Sequence, residues 1–376
     1  MTPAERAVQP DRVLFLIDHF RNPRAGTEGQ LYLLVSELIA GGTQCHLVVL
    51  SASEYLERNG FPCSWSALGH TSLGSPSTWL AMRRLGRDKA AEGYRLAHTF
   101  FNDVSIIAPP MLALSGIKTL ISRRDMGFWY TRRSLALLRV TRFWIAGCIS
   151  NSHAVADITS RRERIPPHKL TVIHNGLEER TPSSNPTPEL QTLHNRGRVL
   201  AGIVANIRPI KRVDDLIGAL AEIRHEAPQL DVVVIGDGNH GELRQQAKAL
   251  GVEGRVHFLG ARVDVPACLN QLDIGVLCSE SEGFSNALVE YMLAGLPSIC
   301  TDSGGNPEAI EDRRSGFLYP VGNKKALSRL LLALARDSGL RKRIGMRARQ
   351  RAREKFTIKS MVDAHCEVYR RVLSSS

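Results

Sequence analysis

Two glutamates eight residues apart carry the strongest chemical signal in the chain, in Ser279-Glu280-Ser281-Glu282-Gly283-Phe284-Ser285-Asn286-Ala287-Leu288-Val289-Glu290. The apolar run Ile274–Cys278 before it reads as a strand, and the run after it as a helix with Ser285 as N-cap. The amides around Phe284, Ser285, Asn286 and Ala287 would then point out of a helix N-terminus, which suits a phosphate. Glu282 would sit in the loop and Glu290 in the second turn, among Leu288, Val289, Met292 and Leu293. A carboxylate on so apolar a helix needs a partner if buried, and the vicinal hydroxyls of a ribose would supply one. The bland alternative is a loop glutamate and a helix-dipole glutamate spaced by chance.

Three further stretches could meet an anion. Arg208 and Lys211 follow the strand Val199–Ala205, where cations could face a diphosphate at the strand ends; a solvated basic turn is the alternative. Gly236-Asp237-Gly238-Asn239-His240-Gly241 is a literal GxGxxG. It follows the second strand after a linker rather than the first, and it lacks the acid expected on the next strand. A tight turn is therefore the better reading. Ala25-Gly26-Thr27-Glu28-Gly29 follows the first strand, and its glycines let backbone approach an anion at a helix start or simply form a loop.

The elements that must position these residues alternate. Strands are expected at Arg12–Ile17, Cys45–Leu50, Leu96–Phe100, Lys118–Ser122, Cys148–Ser150 and Leu170–Ile173, with helical patterns between them. The alternation breaks at the proline- and serine-rich Thr181–Pro188. It restarts with strands at Val199–Ala205, Asp231–Gly236, Val256–Leu259, Ile274–Cys278 and Pro297–Thr301, and ends in helices Lys324–Arg336, Leu340–Lys355 and Ile358–Leu373. This predicts an α/β protein of two Rossmann-like, doubly wound parallel-sheet domains facing each other across a cleft, the default ligand site. The expected divisions are 1–180, a linker 181–198, 199–355, and a last helix within 356–376 crossing back to the first domain.

The 376 residues are too many for one ordinary core, and a charged fraction of 23% with 43% apolar residues excludes a disordered or collagen-like chain. No apolar stretch is long enough to predict a transmembrane helix, and the N-terminus does not read as a secretory signal. Seven scattered cysteines without a CxxC pair fit free thiols in a reducing cytoplasm and not a zinc site. The net charge of +12 suggests anionic partners. Lys118, Arg123, Arg124, Arg132, Arg133, Arg139 and Arg142 mingle with Phe128, Trp129, Tyr130, Phe143 and Trp144 against the single acid Asp125. Arginine mixed with aromatics suits a lipid headgroup boundary; it could also frame an RNA site, but no RNA-binding signature accompanies it.

Taken together, these stretches resemble the retaining nucleotide-sugar glycosyltransferases of family 4 (group 1), of GT-B architecture, over nearly the whole chain. Glu282 to Glu290 is similar to that family's E-x7-E, which continues into Met292-Leu293-Ala294-Gly295-Leu296-Pro297 and Asp302-Ser303-Gly304-Gly305-Asn306-Pro307-Glu308. Arg208 and Lys211 match its diphosphate-binding pair, and Gly26-Thr27-Glu28 its N-terminal glycine loop. Ser150-Asn151-Ser152 and Val172-Ile173-His174-Asn175-Gly176 match its inter-domain run. The chain departs from the pattern where the family often has a histidine near the donor sugar: Arg124 occupies that position, followed by Asp125. Ala25 stands where a second glycine is common.

The resemblance implies transfer from a nucleoside-diphosphate sugar with retention at the anomeric carbon. Arg208 and Lys211 would neutralise the leaving diphosphate, Glu290 would hold the ribose, and Glu282 the sugar hydroxyls near the reacting carbon. Gly283 to Ala287, Gly236, Gly26, Thr27 and Arg262 would complete the donor site, with the base against residues 255–262. His98, Asn102, Arg124 and Asp125 are the acceptor candidates. No metal or other cofactor is expected, and no nucleic acid. The expected acceptor is a saccharide or lipid-linked saccharide of cell-envelope or exopolysaccharide assembly. The expected place is the cytoplasm, peripherally on the inner face of a membrane through the stretch from Arg123 to Trp144. The rivals are an epimerase or phosphorylase of the same architecture, an NAD-dependent oxidoreductase using Gly236 to Gly241, and a non-catalytic anion- or lipid-binding protein.

Overall fold

A computed structural model describes residues 10–23, 25–69, 72–179 and 186–375. The chain divides into two compact units. Unit 1 comprises the chain up to Gly176 together with Ile358 onward, and unit 2 is Leu177–Thr357.

Unit 1 is built on seven strands: β1 (Arg12–Ile17), β2 (Gln44–Val49), β3 (Ser64–Ala67), β4 (Leu96–Phe100), β5 (Lys118–Arg123), β6 (Ile145–Ser150) and β7 (Leu170–Val172). Their order is β3-β2-β1-β4-β5-β6-β7, and every pairing is parallel. β1 is apolar at successive residues because helices cover both faces of the sheet. Val13, Phe15 and Ile17 enter one core with helix Gly26–Ala40 and helix Ile358–Ser374, while Leu14 and Leu16 enter another with Met82 and Leu112.

Unit 2 repeats the plan with β8 (Val199–Val204), β9 (Leu230–Ile235), β10 (Val256–Gly260), β11 (Ile274–Leu277), β12 (Ser298–Thr301) and β13 (Phe317–Tyr319), ordered β10-β9-β8-β11-β12-β13 and again parallel throughout. Both sheets reverse their winding beside the first strand of the unit, between β1 and β4 and between β8 and β11. Such reversals open a crevice at the carboxyl ends of the strands.

The sequence reading omits β3 and β13. Both are short strands at sheet edges, and Ser64-Trp65-Ser66-Ala67 has no apolar run to announce it. Within the expected linker, residues 181–185 lie outside the described residues, but Pro188–Asn195 is a helix. Its prolines read as linker composition, yet Pro188 occupies the helix start, where a missing N–H costs nothing. Leu190 and Leu193 anchor the helix in the core of unit 2. All seven cysteines are free thiols, and burial pushes those of Cys45 and Cys148 up to about 12.

Helix Ile358–Ser374 carries a buried imidazole, His365, whose Nδ1 donates to Met361 O at 2.8 Å while Nε2 has no hydrogen-bond partner among the described residues. Burial first, then the Arg124 charge, lowers its pKa to about 4 against the Met361 hydrogen bond. The folded state thus holds neutral imidazole, whereas the unfolded chain protonates near the ordinary value of about 6.5. As pH falls from 6.5 towards 4 the unfolded state binds more protons, and stability falls. We expect His365 to cost roughly 2 kcal/mol of stability between pH 7 and pH 5. Denaturant unfolding of His365→Gln should show a correspondingly flatter pH profile; the same profile as wild type would show that His365 is not the titrating group.

Candidate functional site

In unit 2 the site forms at the winding reversal, where the loops after β8 and β11 meet. A short 3-10 turn at Pro209–Lys211 ends the first loop, with Lys211 N donating to Arg208 O at 2.8 Å. The next residue, Arg212, adopts φ +47° and gives its guanidinium to the buried Asp215 at 2.6 Å, so its charge is compensated locally. Lys211 reaches across instead: its Nζ lies 2.6 Å from Glu282 Oε1, and both side chains are partly solvent-exposed. Arg208 is exposed and makes no ion pair with the described residues.

The Glu282 loop is held by backbone contacts from two neighbours. Glu280 N donates to Ile210 O at 2.8 Å, joining it to the Lys211 turn. On the β12 side Thr301 Oγ1 donates to Ser279 O at 2.6 Å, Ser303 Oγ to Glu280 O at 2.7 Å, and Gly305 N to Glu282 O at 3.1 Å. Gly304 has φ +55°, and a Cβ there would lie 1.9 Å from Glu282 O. The run from Thr301 to Gly305 therefore acts through position: its hydroxyls and glycines clamp the carboxylate-bearing loop.

Helix Asn286–Leu293 follows, with Ser285 Oγ accepting from Leu288 N at 3.4 Å as N-cap. Phe284, expected to contribute its amide, buries its ring edge-on against Phe356 at 5.2 Å. Leu288, Val289, Tyr291 and Met292 are buried, and Glu290 is half-buried on the remaining face. Tyr291 Oη accepts from Val204 N at 2.7 Å, which docks the helix onto the end of β8. Gly283 is buried, whereas Asn286 and Ala287 in the first turn are half-exposed, leaving that turn reachable.

The GxGxxG stretch is a tight turn after β9. Gly236 (φ +146°) and Gly238 (φ +136°) pack so closely on the β8 loop that Cβ atoms would lie 1.8 Å from Ala205 O and 2.6 Å from Ile207 O. Its glycines are explained by the approach of two backbones. Arg262, expected in the donor site, has its guanidinium taken by Asp264 in a fork of 2.8 and 2.7 Å. Its charge is thus spent within its own loop.

The unit 1 candidates gather less tightly. Gly26 and Thr27 open the 15-residue helix Gly26–Ala40, whose N-cap Ala25 supplies no side-chain cap. Asn102 sits beyond β4, after Phe101 in a strained φ of +69°. Asp18, a residue the sequence reading passed over, organises this corner. Its carboxylate accepts from the amides of Asn102 and Asp103 at 3.2 Å and Val104 at 2.9 Å, capping helix Asp103–Ala113. Its position at the end of β1 was the available signal. Burial raises the Asp18 pKa against those amide bonds.

His98 requires correction as an acceptor contact. It is fully buried, with Nδ1 hydrogen-bonded to Tyr369 Oη at 2.7 Å and Nε2 to Ser122 Oγ at 2.8 Å. A strand residue facing a covering helix has no surface to offer a solute. Arg124 and Asp125 are half-buried just past β5. Arg124 Nη2 donates to Asn175 Oδ1, and Asp125 Oδ1 accepts from Gly127 N at 2.7 Å. Arg123, grouped above with the surface cations, is buried instead. Its Nε and Nη2 pair with Glu163 at 2.5 and 3.0 Å.

Two parallel Rossmann-like sheets, with cations and carboxylates converging at the strand ends of the second, define the GT-B class. Residues 24–180 match the family model Glycosyltransferase Family 4, and residues 189–351 match Glycosyl transferases group 1. The chain belongs to the group 1 glycosyltransferases of GT-B architecture. It is 31% identical over 227 residues to N-acetyl-alpha-D-glucosaminyl L-malate synthase of Bacillus anthracis, covering 59% of this chain and 58% of that protein. It is 30% identical over 242 residues to a D-inositol 3-phosphate glycosyltransferase of Streptomyces bingchenggensis, covering 59% and 52%. The match thus spans little more than half the length of these curated relatives. The fold is similar to that of Anabaena HepE, solved in complex with UDP, with a TM-score of 0.82, 22% identity, and coverage of 96% of this chain and 100% of that one.

Proposed function

We propose that this chain transfers a sugar from a nucleoside-diphosphate sugar to an acceptor, with retention at the anomeric carbon. The observation that carries the reading is the Lys211–Glu282 contact of 2.6 Å at the β8/β11 reversal. It joins a group suited to a phosphate and a group suited to sugar hydroxyls at one strand end. Arg208 and Lys211 neutralise the charge that develops on the leaving diphosphate, which is electrostatic stabilisation of the kind that dominates such transfers. Helix Asn286–Leu293 directs its first turn at the same phosphates, Glu290 takes the ribose, and Glu282 takes hydroxyls of the donor sugar. The leaving phosphate assists attack from its own face, and the cations stand where a metal would otherwise act.

The UDP bound by HepE makes UDP the first base to test, and family membership favours transfer over epimerisation or nicotinamide chemistry. The test is a thermal-shift panel of UDP, GDP, ADP, their common sugars and NAD(H), run with and without EDTA. A ligand that binds only the native state raises the melting temperature by mass action. One nucleoside diphosphate and its sugar should shift the wild type regardless of EDTA, and Glu290→Ala should respond more weakly. A response confined to NAD(H), or an unchanged Glu290→Ala response, would overturn the donor reading.

A lipid-linked saccharide of cell-envelope or exopolysaccharide assembly is the acceptor we favour. The supporting feature is helix Arg132–Thr141 and the turn after it. Val140, Phe143 and Trp144 are 56%, 69% and 46% exposed, Arg142 lies over the Phe143 ring, and the exposed Arg132 and Arg133 open the same helix. Apolar side chains rimmed by arginine fit an anionic bilayer surface. No described helix is long and apolar enough to cross a membrane. Replacing Arg132 and Arg133 by Gln should weaken partitioning onto phosphatidylglycerol vesicles by about thirtyfold, on roughly 1 kcal/mol per charge. Undiminished sedimentation would remove this patch as the anchor.

A further inference from the structure

Arg123 is the last residue of β5 and Arg124 the one after it, yet their side chains turn to different neighbours. Their surroundings differ in kind. Arg123 is forked onto the buried Glu163, which also accepts from Tyr130 Oη at 2.5 Å. Its charge is matched. Arg124 lies 5.9 Å from the centre of the Phe100 ring and is hydrogen-bonded to the neutral amide of Asn175. Among the described residues no carboxylate lies within ion-pairing distance of its guanidinium. Asp125, the nearest acid in sequence, instead binds the amide of Gly127.

Even a half-buried guanidinium without a counter-charge is costly, because burial removes water that no carboxylate replaces. Burial alone pushes Arg124 down to about 10, still cationic at neutral pH. The two imidazoles on its side, His98 and His365, are held neutral in part by its charge and offer no compensation. The residue also stands at the carboxyl end of a central strand, where parallel sheets bind their ligands. Arg123 shows that the fold supplies a buried carboxylate where an arginine is only structural.

We propose that Arg124 is an anion-binding residue, and that the molecule taken by unit 1 carries a phosphate or carboxylate against its guanidinium. This rests on the transfer reading only for the identity of that molecule: an acidic acceptor, or a donor whose sugar is itself acidic. A planar fork suits either anion.

The test is the melting temperature of the full chain with orthophosphate or succinate, against chloride at matched ionic strength. One of the anions should raise the wild-type value. Arg124→Gln should lose that rise, and without added anion it should melt no lower than wild type because an uncompensated charge has gone. Arg58→Gln, a control at an exposed cation of helix Glu54–Asn59, should keep the rise. No rise in wild type, a rise undiminished in Arg124→Gln, or a rise lost only in Lys211→Ala would overturn the proposal. So would an Arg124→Gln protein that melts several degrees lower without anion, since that marks a structural arginine. The UDP response is scored separately: its absence from every protein defeats the transfer reading while the anion comparison stands. Affinities for UDP-glucuronate and UDP-glucose then distinguish the sources. A fall of about tenfold in their ratio in Arg124→Gln assigns the anion to the donor sugar, and an unchanged ratio assigns it to the acceptor.

Discussion

Lys211→Ala should lower kcat by two to three orders of magnitude, about 3–4 kcal/mol of lost transition-state stabilisation. The ammonium sits 2.6 Å from Glu282 and is partly open to solvent. A diphosphate entering the site can therefore compete for it, and the charge that grows on the leaving oxygen strengthens that contact in the transition state. An interaction of this kind appears in kcat more than in KM. The fold should tolerate the change, because Lys211 is partly exposed and its turn is set by backbone bonds. Single-turnover and steady-state rates, with a melting curve as control, provide the check. A variant with near-wild-type kcat would remove Lys211 from the chemistry and leave its contact with Glu282 a surface ion pair of little consequence.

Gly304→Ala should be comparably damaging through a different route. It leaves every proposed contact residue in place. The left-handed φ of +55° alone costs an alanine about 1 kcal/mol. Its methyl would also meet Glu282 O at 1.9 Å, a backbone atom with no rotamer to escape into. The loop holding Glu282 must shift, and a displacement of about 1 Å in a catalytic group can cost on the order of a hundredfold in rate. Gly251→Ala separates the two effects. Gly251 has φ +68° with nothing within 4 Å of an added Cβ, so it should lose about 1 kcal/mol of stability and no activity. Equal activity in the two variants would show that the 303–305 clamp does not position Glu282.

Much of the unit 2 site was legible because its signals are local. Ser285 caps a helix within four residues of itself, and Arg208 and Lys211 share one short turn. Glu282 and Lys211, by contrast, are 71 residues apart, and only the β8/β11 reversal brings them together. The GxGxxG stretch is the tight turn that its place in the chain implies, but the reason for its glycines is not local. Its glycines answer to Ala205 and Ile207, carbonyls about 31 residues away that no spacing rule includes. Arg262 and its partner Asp264 are neighbours in sequence, but whether a loop closes on itself or opens to a ligand depends on side-chain direction.

Unit 1 was read less well for one reason. Strand residues alternate between faces, and the identity of the covering element is tertiary information. His98 read as an acceptor contact, but it is roofed by helix Ile358–Ser374, about 270 residues downstream. Asp18 was passed over, but it caps a helix 85 residues away.

Composition and hydrophobic alternation thus determined the layered α/β plan, the two units and the motif positions, because burial on both sheet faces leaves its pattern in every strand. Charge compensation was decided only in three dimensions. Of the adjacent arginines at the end of β5, one faces Glu163 and the other Asn175. Nothing in a run of letters distinguishes them, since a buried charge is neutralised or left unmatched by partners that the fold brings from elsewhere in the chain.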